Sequence, residues 1–203
     1  MQTKRLAFTC SAMAVIVAAL SASAILQVRA NDSRGENIQS SQRGLDGPLL
    51  KVVRDSTQKY KNVSAAEKAG YGLLFGCVSG ENEGAMGLHY VNMNLVGNPP
   101  LGADGQPDPT QPQIVVYEPQ ADGSPQIVGV DYLIIAEPWD DAHPGQGAPQ
   151  IMGQLMQFVQ APNRYGLPNV YLLHVWAWRY NPTGPFTMWN PNVSCAAYNG
   201  QVK

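Results

Sequence analysis

Residues 113–136 read QIVVYEPQADGSPQIVGVDYLIIA, and this stretch carries the strongest fold signal in the chain. Two runs rich in β-branched and aromatic residues, Gln113–Glu118 and Gln126–Ala136, flank a short segment that contains Asp122-Gly123. Asp-Gly between two such runs is typical of a tight turn that joins two strands. The stretch therefore predicts an antiparallel β-hairpin.

Further elements are predicted on both sides of this hairpin. Residues typical of strands recur at Met86–Met93 and Val170–Arg179. Two helices are expected on the N-terminal side of all the predicted strands, at Asp46–Tyr60 and Ser64–Gly70. Asp46 has the character of an N-cap, and Ser64 begins a capping box. The apolar spacing of Ile151–Val159 favours one more short helix. The fold class is thus α+β, with N-terminal helices packed on an antiparallel sheet or half-barrel.

The N-terminus has the pattern of an export signal. A short basic start is followed by an apolar run from Leu6 to Leu26 and by small residues suited to cleavage, which predicts a signal peptide over residues 1–30. An uncleaved membrane anchor is the alternative. Residues 31–45 are polar and predict a disordered leader, and residues 46–203 predict a single domain. The expected location is periplasmic or extracellular.

Charge excludes some classes of partner. The chain has 13 basic and 15 acidic residues, and removal of the signal leaves ten and fifteen, a net charge of −5. Nucleic acids and anionic membranes require clustered Lys and Arg, which the sequence lacks. We therefore expect no nucleic-acid partner and no membrane association after signal cleavage.

Two cysteines remain beyond the signal, Cys77 and Cys195. An even pair in an exported chain predicts one disulfide. The alternative is a pair of free thiols with a redox or copper role.

Two of the three histidines, His89 and His174, lie on predicted strands, and carboxylates interrupt the hairpin at Glu118, Asp131 and Glu137. Two histidines and one carboxylate form the ligand set of many Zn, Fe and Mn centres. We predict a site for such a divalent metal at His89, His174 and Glu118. The alternatives are buried histidines that are hydrogen-bonded to carboxylates, and an acid–base pair without metal.

A copper site is a further alternative, because Met86, His89 and Met93 combine thioether and imidazole groups within eight residues. Strand alternation, however, places Met86 and His89 on opposite faces of the strand.

Aromatic residues suggest a second kind of site. Alternation places Trp176 and Trp178 on the same face as His174, and together with Tyr90 they could line a groove for a small molecule. The alternative is that these large side chains fill the core of a glycine-rich domain.

Several phrases of the chain resemble a group of exported bacterial proteins of unassigned function. These phrases are GAMGLHYVN (84–92), VYEP (116–119), GVDY (129–132), LHVWAWRYNP (173–182) and WNPNVSC (189–195). The resemblance covers about residues 60–195 and implies an exported bacterial domain, without carrying over a catalytic residue. The expected function is binding of a small molecule or metal ion. The alternatives are a metal-dependent enzyme that uses the two histidines and a carboxylate, and a structural or interaction protein.

Overall fold

The structure is a computed structural model that describes residues 47–80 and 82–203. The predicted signal peptide and leader lie outside the described residues. The helical elements are α1 (Pro48–Thr57), a 3₁₀ turn (Gln58–Lys61), α2 (Val63–Lys68), α3 (Met93–Gly97) and α4 (Ala136–Ala142). The strands are β1 (Gly72–Ser79), β2 (Ala85–Val91), β3 (Ile114–Pro119), β4 (Pro125–Ile135), β5 (Gln150–Ile151), β6 (Gln154–Leu155), β7 (Gln157–Val159) and β8 (Val170–Val175).

The strands form a six-stranded sheet with the order β1-β2-β3-β4-β8-β7, and β5 and β6 form a separate two-stranded sheet. All neighbouring strands of the large sheet are antiparallel. The predicted hairpin is confirmed as β3–β4, and Gly123 in its turn has a φ of +83°, which a glycine adopts without strain. The α+β class is confirmed.

Helix α1 places an apolar stripe against the sheet. Its buried residues Leu49, Leu50 and Val53 belong to one core cluster with Tyr132 of β4 and Leu173 of β8. We call the side of the sheet that carries Tyr132 and Leu173 the α1 face. Side chains next to these two in sequence point to the opposite face, because side chains alternate along a strand.

The caps of both N-terminal helices differ from the prediction. The N-cap of α1 is Gly47, which makes no side-chain cap, and not Asp46. The N-cap of α2 is Asn62, whose Oδ1 accepts a hydrogen bond of 3.0 Å from the amide of Ser64. Asn competes well with Ser as an N-cap, so the N-cap lies two residues before the predicted one.

The predicted helix at Ile151–Val159 is wrong, since this segment forms β5, β6 and β7. Met152 and Gly153 have φ angles of 48° and 84°, and these left-handed residues turn the chain between β5 and β6. A helix cannot pass through two such residues. Strand β1 was not expected, because Gly72 and Gly76 interrupt its alternation.

The disulfide between Cys77 and Cys195 is confirmed, and it joins β1 to the C-terminal segment. The same segment pairs with the edge of the sheet, since the amide of Lys203 donates to the carbonyl of Cys77 at 2.8 Å. Among the described residues, no helix has the length and apolar character needed to cross a bilayer.

Candidate functional site

A cluster of three ionisable side chains lies on the face of the sheet opposite α1. Asp131 of β4 is paired directly with His174 of β8, and His89 lies on β2. The three residues are 1%, 3% and 5% exposed, in that order. The ring centroids of His89 and His174 are 6.4 Å apart, and Asp131 is the carboxylate that contacts both rings.

The contacts define how Asp131 joins the two rings. Nδ1 of His174 contacts Oδ1 of Asp131, although this contact is not a well-directed hydrogen bond. Nε2 of His89 lies 3.4 Å from Oδ2 of Asp131. Nε2 of His174 is buried and has no hydrogen-bond partner among the described residues.

Both nitrogens of the His89 ring are directed at oxygen atoms. Nδ1 of His89 lies 3.1 Å from the carbonyl oxygen of Gly87, which can only accept, so Nδ1–H is the donor in this contact. Nε2 of the same ring faces Oδ2 of Asp131.

These contacts hold Asp131 in its ionised form. Burial by itself raises the pKa of the Asp131 carboxyl, but the interactions with His174 and His89 outweigh it and lower the pKa from 3.8 to about 2. A buried carboxylate with such partners is an electrostatic feature that is more frequent at functional sites than elsewhere.

This pKa predicts how stability changes in acid. The unfolded chain takes up a proton on this carboxyl near pH 3.8, whereas the folded protein does so only near pH 2. The contribution of the ionised Asp131 carboxylate to the free energy of unfolding is therefore fully present above pH 3.8 and is lost as the pH falls through about 2. We expect the free energy of unfolding to drop by about 2–3 kcal/mol over this window relative to an Asp131→Asn variant. Denaturant titrations at several pH values check this, and equal pH slopes in both proteins would contradict it.

A small cavity adjoins the cluster. It has a volume of about 30 Å³ and is lined by His89, Asp131, Met86 and Tyr165. Its apolar wall consists of Phe75, Val78, Ile114, Leu133, Leu167 and Leu172.

Two groups determine the chemistry at the rim of the cavity. The hydroxyl of Tyr165, which is half-buried, lies 3.8 Å from Sδ of Met86. Burial raises the pKa of Tyr165, although Arg164 beside it lowers the pKa in part. The hydroxyl therefore remains a proton donor.

Glu118 lies apart from this arrangement of residues. Its carboxylate contacts Nη2 of Arg179 and accepts a hydrogen bond of 3.0 Å from the amide of Ser194. Glu118 faces Gln126 at the turn end of the β3–β4 hairpin, whereas Asp131 pairs with Ile114 at the other end. The carboxylate that contacts His89 and His174 is thus Asp131 and not Glu118.

The three aromatic residues predicted to bind a ligand each have a different partner. Trp176 is fully buried, lies 4.3 Å from the His174 ring by centroids, and donates from Nε1 to the carbonyl of Thr187. Trp178 donates from Nε1 to Oγ1 of Thr57 in α1. The ring of Tyr90 packs edge-on against Tyr117 at 5.1 Å. The aromatic rings that line the cavity are instead those of Phe75 and Tyr165. Side-chain alternation along β2 and β8 could not identify them, because neither residue lies on those strands.

Within residues 47–80 and 82–203, no three side chains of His, Cys, Asp or Glu are arranged to hold a metal ion. Comparisons of the chain with protein-family models, with curated proteins and with solved structures return no match.

Proposed function

We propose that the protein binds a small ligand in the cavity beside His89 and Asp131. The observation that carries this proposal is a buried histidine–carboxylate pair at the wall of an otherwise apolar cavity. A buried pair of this kind is often no more stable than well-packed apolar residues of similar volume. A role in recognition gives these two polar residues a reason to be buried.

The size and polarity of the cavity limit the ligand. One water molecule requires about 10–15 Å³ of cavity volume on the same scale. The cavity of about 30 Å³ therefore accommodates about two groups, each of the size of a water molecule. Nδ1 of His89 is held by the carbonyl of Gly87, so a ligand here must replace the 3.4 Å contact between Nε2 of His89 and Oδ2 of Asp131. The preferred ligand is therefore compact and carries hydrogen-bonding groups on neighbouring atoms that face both residues, as an amide does.

NMR spectroscopy of the methionine methyl groups tests the proposal. Met86 lines the cavity, whereas Met156 is buried in the α1-side core and Met93 is exposed, so both serve as internal references. We expect formamide to shift the Met86 signal in a saturable manner while leaving the two references unchanged. A ceiling of about 1.5 kcal/mol per heavy atom limits this three-atom probe to a Kd of about 0.5 mM or weaker.

Xenon and two variants distinguish simple filling of the apolar cavity from recognition of a ligand by its polar residues. Xenon requires only an apolar void, so it should shift Met86 in the wild type and in His89→Phe. Formamide should lose its effect in His89→Phe and keep it in the matched control His143→Phe, whose ring stacks on Trp139. A response to xenon without a response to formamide in the wild type would reject polar recognition, and no response to either probe would reject the proposal entirely.

A further inference from the structure

The cavity beside His89 lies between the large sheet and one loop. Eight of the ten residues that line it belong to strands β1, β2, β3, β4 and β8. The other two, Tyr165 and Leu167, lie on the connection between β7 and β8, residues 160–169, which we call the covering loop. This loop is therefore the part of the cavity wall that can move without breaking hydrogen bonds between strands.

The covering loop is organised by hydrogen bonds of its own. Oδ1 of Asn163 accepts from the amides of Tyr165 and Leu167, both at 3.2 Å, and Nδ2 of Asn163 donates to the carbonyl of Leu167 at 3.0 Å. Oδ1 of Asn169 accepts from the amide of Ala161 at 2.8 Å. Local bonds of this kind fix the backbone of a turn. Tyr165 and Leu167 are thereby held in one unit, and we expect them to move together.

Side chains hold the covering loop against the rest of the protein. Within the described part of the chain, the backbone groups of residues 161–168 form hydrogen bonds only inside the loop. Nη2 of the exposed Arg164 donates to the carbonyl of Ser79 in β1 at 3.1 Å, and its guanidinium lies 5.6 Å from the centre of the Trp189 ring. The hydroxyl of Tyr165 faces Sδ of Met86, which is a weak acceptor. Opening of the loop therefore breaks side-chain contacts and leaves the sheet intact.

We propose that the covering loop is a lid through which ligands reach the cavity, and that Arg164 holds this lid closed through its bond to Ser79. The inference rests on the proposed function, because it concerns access to the same cavity. Arg164 does not line the cavity, so its bond to Ser79 is present whether the cavity is filled or empty. Loss of this bond raises the association and dissociation rates of a ligand by the same factor and leaves the Kd unchanged.

Met86 reports the opening of the lid without any ligand. A bulge in β2 brings it to the cavity: Val78 pairs with Gly87 and Ser79 pairs with Ala85, so Met86 is an extra residue opposite β1. Met86 is 2% exposed, so hydrogen peroxide reaches its thioether only when the lid opens. The reaction transfers one oxygen atom from peroxide to sulfur, which gives methionine sulfoxide and water. Mass spectrometry of peptides measures its rate at each methionine.

The variant Arg164→Gln tests the lid on the purified protein. We expect it to speed the oxidation of Met86 by about threefold or more, in line with the net contribution of one hydrogen bond. Oxidation of Met156, which is 3% exposed in the core on the α1 side, should keep its wild-type rate. Arg54→Gln is the matched control, because Arg54 of α1 also donates to a backbone carbonyl, that of Ala177 at 3.2 Å. This control should oxidise Met86 as slowly as the wild type does.

Each outcome of this experiment supports or overturns the lid. An unchanged rate at Met86 in Arg164→Gln would overturn it, and so would equal acceleration at Met86 and Met156, which indicates a loss of global stability. Relaxation dispersion of the Met86 methyl signal should show faster exchange of formamide in Arg164→Gln at the same Kd. If xenon and formamide shift that signal while Arg164→Gln changes no rate, the small-ligand site stands and the lid fails. If oxidation is faster and neither probe binds, the lid stands and the proposed function fails.

Discussion

The Asp131→Asn variant should lose about 3–5 kcal/mol of unfolding free energy, because it leaves two buried histidines without their carboxylate partner. Asp131 is 1% exposed and contacts both His89 and His174. Small domains have only about 5–15 kcal/mol of stability in total, so this loss is a large fraction. Urea titration at neutral pH measures it.

Two comparisons test the physical reason for this loss. Asp55→Asn removes an exposed aspartate that pairs with Lys51 on α1, and such surface pairs contribute about 1 kcal/mol at most. The triple variant His89→Phe/Asp131→Leu/His174→Leu removes all the charges together and should be more stable than Asp131→Asn. If the triple variant is as unstable as the single one, packing and not charge explains the loss.

Removal of the disulfide should have an effect of similar size. Cys77 and Cys195 are separated by 118 residues, and in the chain-entropy model a loop of this length corresponds to about 4–5 kcal/mol. We expect the Cys77→Ala/Cys195→Ala variant to unfold at a correspondingly lower urea concentration. Unfolding curves of the oxidised wild type and the double variant check this.

Reducing agent provides the control for this second prediction. It should shift the unfolding curve of the wild type toward that of the double variant, and it should leave the double variant unchanged. A difference below about 1 kcal/mol between the oxidised and reduced wild type would contradict the chain-entropy argument. It would indicate that pairing of Lys203 with Cys77 holds the C-terminal segment without the covalent link.

Local patterns were sufficient for much of the fold. The β3–β4 hairpin follows from Asp122-Gly123, because the turn depends on residues adjacent in sequence. The disulfide follows from the number of cysteines beyond the predicted signal. The helix that the apolar spacing of residues 151–159 predicts is wrong, because such spacing over so few residues does not distinguish a helix from short strands. The left-handed turn at Met152-Gly153 rules out the helix.

The sequence by itself determined the α+β class, the hairpin, the disulfide and the two strand histidines as candidates. Only the tertiary structure decided which carboxylate joins them, because strand register sets Asp131 opposite His174 and leaves Glu118 at the turn end beside Arg179. It also decided that Met86 and His89 share one cavity. The reason is a bulge where β2 pairs with β1, and a period-two pattern read along one strand carries no information about how that strand pairs with its neighbour.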